Sequence, residues 1–186
     1  MAPAESKRLF FALWPGTGGA ERLAHAAHLV HAACGGRVMR RETLHLTLVF
    51  LGNVPLAKLQ ASRAAAANVR GETHQLNFDR WGGWRRPGIV WAGCGATPPQ
   101  LVALVQALQQ GLREIGLAIE ERTFSPHVTL LRNARAADLG ALPPLDPIVW
   151  PVEDFVLVES QSAAGGAAYR IIDRWPLGNA CPPVAG

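Results

Sequence analysis

The sequence predicts one domain that mixes strands and helices and is built in two halves. Strand-like and helix-like segments alternate along the chain, no linker or change of composition divides it, and one short motif occurs twice, as TLHLTL at Thr43 to Leu48 and SPHVTL at Ser125 to Leu130. A length of 186 residues suits a single domain, and 49% hydrophobic residues supply a sizeable core.

The elements follow in order. Arg8 to Trp14 (RLFFALW) reads as a buried strand stopped by the turn signal Pro15-Gly16, and a helix from about Gly18 to Ala33 ends at Gly35-Gly36. Leu44 to Leu51 (LHLTLVFL) is a strand closed by Gly52-Asn53. Pro55 opens an alanine-rich helix to about Val69. Gln75 to Cys94 suggests two strands around a loop, interrupted at Gly82-Gly83 and Pro87-Gly88. Pro98-Pro99 start a helix to about Ile115, with Leu101, Leu104, Val105, Leu108 and Leu112 at helical spacing. Ile119 begins an extended stretch, Pro126 to Arg132 (PHVTLLR) is a short strand, and Trp150 to Ser160 and Tyr169 to Leu177 close the fold around a flexible Ala163 to Ala168 segment. Residues 1–178 then form the domain and 179–186 a C-terminal tail.

Charge narrows the partners. Lys plus Arg number 18 against 14 Asp plus Glu, a net charge of +4 that suits an anionic ligand. Lys7 and Lys58 are the only lysines, so the basic side is arginine, which matches phosphate geometry but is more simply explained by a GC-rich genome. Cys34, Cys94 and Cys181 are far apart and odd in number, so neither a disulfide framework nor a cysteine zinc site is expected. No run approaches the roughly 20 apolar residues that span a bilayer. A soluble, cytoplasmic monomer without membrane contact is the expectation.

The repeated motif carries the chemistry. Alternation in a strand puts His45 and Thr47 on one face with Leu46 and Leu48 behind them, and does the same for His127 and Thr129 over Val128 and Leu130. A lone H-x-T is most simply a packed strand end, but two copies with the same apolar partners are not what chance gives a chain with six histidines. Two imidazoles titrating near pH 6.5 can serve as a neutral base and a protonated acid in one displacement at phosphorus. The threonine hydroxyls can donate to the non-bridging oxygens, and no metal or cofactor is required.

With these residues in place, the chain resembles the two-histidine phosphoesterase superfamily, and closely its RNA 2′,3′-cyclic phosphodiesterase branch, historically called 2′-5′ RNA ligases. The likeness runs through RLFFALWP at Arg8 to Pro15, LHLTLVFLG at Leu44 to Gly52, RRPGIVWAG at Arg85 to Gly93 and FSPHVTLLR at Phe124 to Arg132. It ends in Glu159-Ser160, Gly165, Tyr169 and Trp175-Pro176-Leu177. The resemblance implies a two-lobed α+β fold, each lobe an antiparallel sheet backed by helices, with the histidine strands facing across a cleft. It also implies hydrolysis of an RNA 2′,3′-cyclic phosphate, or of a small cyclic nucleotide, to a 2′-phosphomonoester. His45 is carried over as proton donor to the leaving 3′ oxygen and His127 as proton acceptor from water, with the opposite assignment left open. Thr47, Thr129 and Arg132 are carried over as phosphate contacts and Phe50 as the platform for the terminal base. Phe50 and Arg132 each lie an odd offset from their histidine, so facing the site requires a bulge or a strand end. Reversible 2′-5′ RNA joining and an RNA-end binding module without turnover are the alternative readings.

Three further features weigh less. Arg80-Trp81-Gly82-Gly83-Trp84-Arg85-Arg86 interleaves basic and aromatic residues as a single-stranded RNA platform does, and as a loop with core tryptophans also does. His25, His28 and His31 fall three apart on the first helix without a carboxylate or cysteine at ligand spacing, which reads as a solvated surface and not a metal site. Ser160 and Ser162 have no base partner for nucleophilic work.

Overall fold

In the computed structural model, which describes residues 5–120, 123–135, 139–163 and 166–178, strand β1 (Ser6–Leu13) is buried on both faces from Leu9 onward. Leu9, Phe11 and Leu13 enter the main core, whereas Phe10 and Ala12 join Val156 and Val158 in a small cluster on the opposite face. Helix α1 (Thr17–Cys34) ends where Gly35 and Gly36 take positive φ, 58° and 87°. A Cβ on Gly36 would stand 2.7 Å from the Cα of Ala134, so glycine is required there twice over. A two-residue strand β2 (Arg37–Val38), which the sequence pattern did not suggest, and a 3-10 turn lead into β3 (Leu46–Pro55).

Gly52 and Asn53 do not close β3 as expected. The strand runs on to Pro55 because β1 pairs with it along its full length, from Leu13↔Leu46 to Ser6↔Pro55. Helix α2 (Leu56–Asn68) follows at once. Strands β4 (His74–Trp84) and β5 (Ile89–Cys94) form a hairpin, and Gly82-Gly83 lies inside β4 as part of the ladder instead of breaking it. In helix α3 (Pro99–Glu114) Leu101, Leu104, Val105, Leu108 and Leu112 are all buried, as the helical spacing requires. Residues 117–120 and 123–126 form no strand, against the extended stretch expected from Ile119; β6 (His127–Arg132) starts at the histidine.

The expected strand from Trp150 to Ser160 is two. Strand β7 (Ile148–Val152) pairs with β4, then the chain crosses at Glu153 and β8 (Asp154–Ala163) pairs with β1 and with β9 (Gly166–Pro176). Of the segment expected to be flexible, Ala163 ends β8 and Gly166 to Ala168 begin β9, in register to Ala163↔Gly166, while 164 and 165 lie outside the described residues. The tail, 179–186, lies outside the described residues.

All these strands make one antiparallel sheet in the order β7-β4-β5-β6-β3-β1-β8-β9, with β2 alongside β6. The fold is thus α+β, a curled half-barrel sheet with three helices. The expectation of two separate sheets facing across a cleft is corrected: the histidine strands β3 and β6 are neighbours, joined at the single pair Leu46↔Val128. Each half keeps the same order of strand, helix and histidine strand, β1-α1-β3 and β5-α3-β6. The helices cross over, since α1 packs on β6 and β7 while α2 and α3 pack on each other and on β3. This single sheet leaves its other face open for the two motifs.

Glu159 is a buried acid that serves the frame. It pairs with Lys7 at 3.1 Å and with Arg170 at 2.5 Å, and the Arg170 guanidinium above all holds its carboxyl down at about 2. Alternation along β8 turns it away from the groove that its neighbour Ser160 lines.

Candidate active site

The site starts from the two residues that join the halves. Continuing the Leu46↔Val128 register by one residue each way sets His45 across from Thr129 and Thr47 across from His127. Each half therefore contributes one imidazole and one hydroxyl to a common patch, arranged about a local two-fold.

Both rings are held in the same way. His45 Nδ1 lies 2.7 Å from the Thr43 carbonyl oxygen and His127 Nδ1 lies 2.8 Å from that of Ser125. A carbonyl only accepts, so each Nδ1 carries the proton and donates, leaving the Nε2 lone pair free to act. His74 makes the same bond to Glu72, so the bond is a local habit of the backbone, and the pairing of the two rings is what distinguishes this site.

Around the rings the structure adds aromatic residues that the sequence reading left out. His45 is stacked by Trp14, with centroids 5.3 Å apart and planes 5° from parallel, and is flanked by Phe10 and Tyr169. His127 meets the edge of Trp84 at 4.8 Å and lies beside Trp91. Trp91 fits only because Gly82 and Gly93 have no side chain; a Cβ there would come within 2.0 and 2.4 Å of its ring. The signal was present in the sequence as aromatics on β1 and glycines in β4 and β5, but no periodicity says which strand faces they meet. Burial pushes both histidines down from their usual 6.5, His45 to about 4, with Arg132 and His127 adding smaller repulsions to His45. The free site thus presents two neutral imidazoles at neutral pH.

Two bulges bring in the remaining residues. On β3 the register passes from Ala12↔Thr47 to Phe11↔Val49, leaving Leu48 without a partner, and on β6 it passes from Trp91↔Thr129 to Val90↔Leu131, leaving out Leu130. Each bulge buries two successive residues, Leu48-Val49 and Leu130-Leu131, and returns the next one to the open face. Phe50 and Arg132 are those next residues, so the odd offset from the histidines is resolved by one inserted residue in each strand.

The lining residues form two connected spaces. A chamber of about 160 Å³ is bounded by His45, Thr47, His127, Thr129 and Arg132, with Trp84 and Met39 on its sides. It shares His45, Thr47 and Arg132 with a groove of about 730 Å³ that extends past Phe50 and Tyr169 to Ser160 and Ser162. All six residues assigned from the sequence therefore converge.

The basic-aromatic segment divides. Trp81 donates to the Pro143 carbonyl at 2.8 Å and packs on the core, Arg80 donates to the Cys94 and Gly95 carbonyls, Trp84 faces His127, and Arg85 and Arg86 are exposed. His25 and His28 are exposed and His31 bonds the Gly36 carbonyl, and among the described residues no three His, Cys, Asp or Glu side chains converge as a metal site. Cys34 and Cys94 are buried and unpaired, with Cys94 pushed up to about 11 by burial; Cys181 lies outside the described residues. Among the described residues no helix is long and apolar enough to cross a membrane.

The 2′-5′ RNA ligase superfamily profile matches residues 16–164, a span that holds both histidine motifs. The chain belongs to this superfamily. Within it the chain falls in the RNA 2′,3′-cyclic phosphodiesterase (LigT) family. It is 35% identical to the RNA 2′,3′-cyclic phosphodiesterase of Escherichia coli over 94% of this chain and 98% of that one, and 30% identical to that of Thermus thermophilus over 91% and 90%. The crystal structure of apo E. coli LigT superposes with a TM-score of 0.84 at 34% identity, covering 94% of this chain and 99% of that one. The same protein complexed with 3′-AMP superposes at 0.82, with 35% identity over 93% and 99%. Membership in the LigT family implies the processing of cyclic phosphate ends.

Proposed function

We propose that the protein hydrolyses RNA 2′,3′-cyclic phosphate ends to 2′-phosphomonoesters by paired-histidine acid and base catalysis. The observation that carries this reading is the chamber of about 160 Å³ with an imidazole and a hydroxyl from each half, and Arg132, on its wall. Thr47, Thr129 and Arg132 hold the non-bridging oxygens, and Phe50 takes the terminal base. His127 accepts the proton of the attacking water while His45 gives one to the leaving 3′ oxygen. A proton relay of this kind contributes about 10²- to 10⁴-fold per group.

The depressed histidines fit this chemistry. A neutral His127 is ready as base, and the acid gains its proton when the phosphate brings negative charge beside a ring that burial chiefly keeps neutral. Joining of 2′-5′ ends uses the same residues, with a 5′-hydroxyl in place of water. The hydroxyl attacks phosphorus and gives its proton to His127 while His45 protonates the leaving 3′ oxygen. The equivalent support of the two rings suits the exchange of roles that reverses the joining. That the halves each bring one H-x-T supports an origin by duplication of a half-domain.

The test is a short RNA ending in a 2′,3′-cyclic phosphate, incubated with chelator and no nucleotide and read by mass spectrometry. Uptake of one water to a 2′-phosphate end, lost in both His45→Ala and His127→Ala, is the expected result. An end that stays intact while the RNA still binds would overturn hydrolysis in favour of end binding, and a product of joined RNA length would identify ligation.

A further inference from the structure

The groove extends beyond the phosphate chamber, past Phe50 to Arg8. It measures about 730 Å³, carries Arg8, Arg37, Arg40 and Arg132 on its walls, and has no carboxylate among its lining residues. Strand β1 sets its direction. Phe10, beside His45, and Arg8 lie two residues apart on the same face, which carries Arg8 about 7 Å further from the reacting centre along the strand.

Arg8 is not placed like an ordinary surface arginine. Its guanidinium lies over the Phe50 ring, 4.9 Å from the centroid, and among the described residues it has no carboxylate partner. A guanidinium held over a ring by its charge still has N–H donors to offer an anion. Phe50 beneath it is 41% exposed, which leaves ring surface for a base. Arg132 and the two threonines already supply the reacting phosphate, so a second anion site this far along the groove has no use for a mononucleotide.

We propose that Arg8 binds the phosphodiester on the 5′ side of the terminal nucleotide, so that the groove selects the end of an RNA chain over a mononucleotide cyclic phosphate. This rests on the cyclic-phosphate reading of the site. The terminal base lies on Phe50 and the next phosphate meets the arginine stacked behind it. The same arrangement makes chain binding more sensitive to salt than mononucleotide binding.

The experiment compares a dinucleotide ending in a 2′,3′-cyclic phosphate with adenosine 2′,3′-cyclic phosphate, in wild type, Arg8→Ala and Arg8→Lys. In Arg8→Ala the ratio of kcat/KM on the dinucleotide to that on the mononucleotide falls about tenfold, the lower end for a charged hydrogen bond. Arg8→Lys keeps the charge and recovers part of that ratio. Log kcat/KM on the dinucleotide loses about 0.7 of its slope against log salt in Arg8→Ala, the share of one phosphate on a single strand. Equal loss on both substrates would overturn the proposal and leave Arg8 as a support for Phe50, and no change on either would overturn it outright. Binding of a dinucleotide 2′-phosphate and of 2′-AMP is titrated in the same proteins. If wild type turns over neither cyclic substrate, the catalytic reading fails, while a tenfold preference for the dinucleotide lost in Arg8→Ala still upholds the subsite and its absence overturns it.

Discussion

Trp14 lies flat against the His45 imidazole, 5.3 Å from centroid to centroid and 5° from parallel. Two opposing effects follow. A cationic ring would gain about 1 kcal/mol from the indole face, but the same indole shuts water out, and desolvation is the larger influence that brings His45 to about 4. Trp14→Ala admits water to that face, so the His45 midpoint rises by about one unit toward 6.5. Titration of the histidine ring protons by NMR reads this directly, and a midpoint still near 4 would put the burial down to Phe10 and Tyr169 instead.

Binding of a phosphomonoester takes up protons. In the free protein both histidines titrate below 6.5, so both are neutral at pH 7.5; a dianion between them favours the charged ring and raises at least one above its free value. The sign is uptake, approaching one proton per 2′-AMP at pH 7.5, where the ligand itself is already a dianion. Calorimetry in buffers of different ionisation enthalpy measures it. A binding heat independent of the buffer would contradict it, and His45→Asn and His127→Asn show which ring takes the proton.

The histidines and threonines were legible because strand alternation is a local rule and the motif occurs twice. Helix α3 was legible for the same reason, its five apolar positions all turning inward. Phe50 and Arg132 were legible only through resemblance, since the bulges at Leu48 and Leu130 depend on how β3 and β6 pair with β1 and β5. Register is a property of two strands, and a single segment does not encode it. Trp14 and Trp91 escaped notice, and Trp84 was read only as part of a basic-aromatic segment, because the sequence does not say which aromatics meet a ring across the sheet. The single continuous sheet was hidden likewise, because one pair, Leu46↔Val128, decides it.

Glu159 makes a prediction about the frame and not the chemistry. Its carboxyl titrates near 2 when folded against an ordinary 4.5, so the unfolded chain binds the proton more readily between these values. The stabilisation is complete above pH 4.5 and is lost as pH falls through about 2. Glu159→Gln is therefore less stable than wild type at pH 7, and the gap between their melting temperatures narrows below pH 4.5 and closes near pH 2. A gap that stays constant over that range would show that packing, not the charge held by Arg170 and Lys7, is what the substitution removes.

Gly82 tests the seat of Trp91. A Cβ at this position would lie 2.0 Å from the Trp91 ring, so something must shift, and that ring is next to His127. Alanine must push the indole out of the cleft floor or part β4 from β5. Overpacking of this kind costs about 1 to 3 kcal/mol. In a chain of this size that lowers the melting temperature by about 2–4 °C per kcal/mol. Gly82→Ala with Trp91→Leu, which makes room for the methyl group, recovers most of the melting temperature. It does not recover activity if the indole itself holds His127 in place. Full recovery of both would reduce Trp91 to filler, and recovery of neither would show that Gly82 is needed for its backbone, independent of the ring above it.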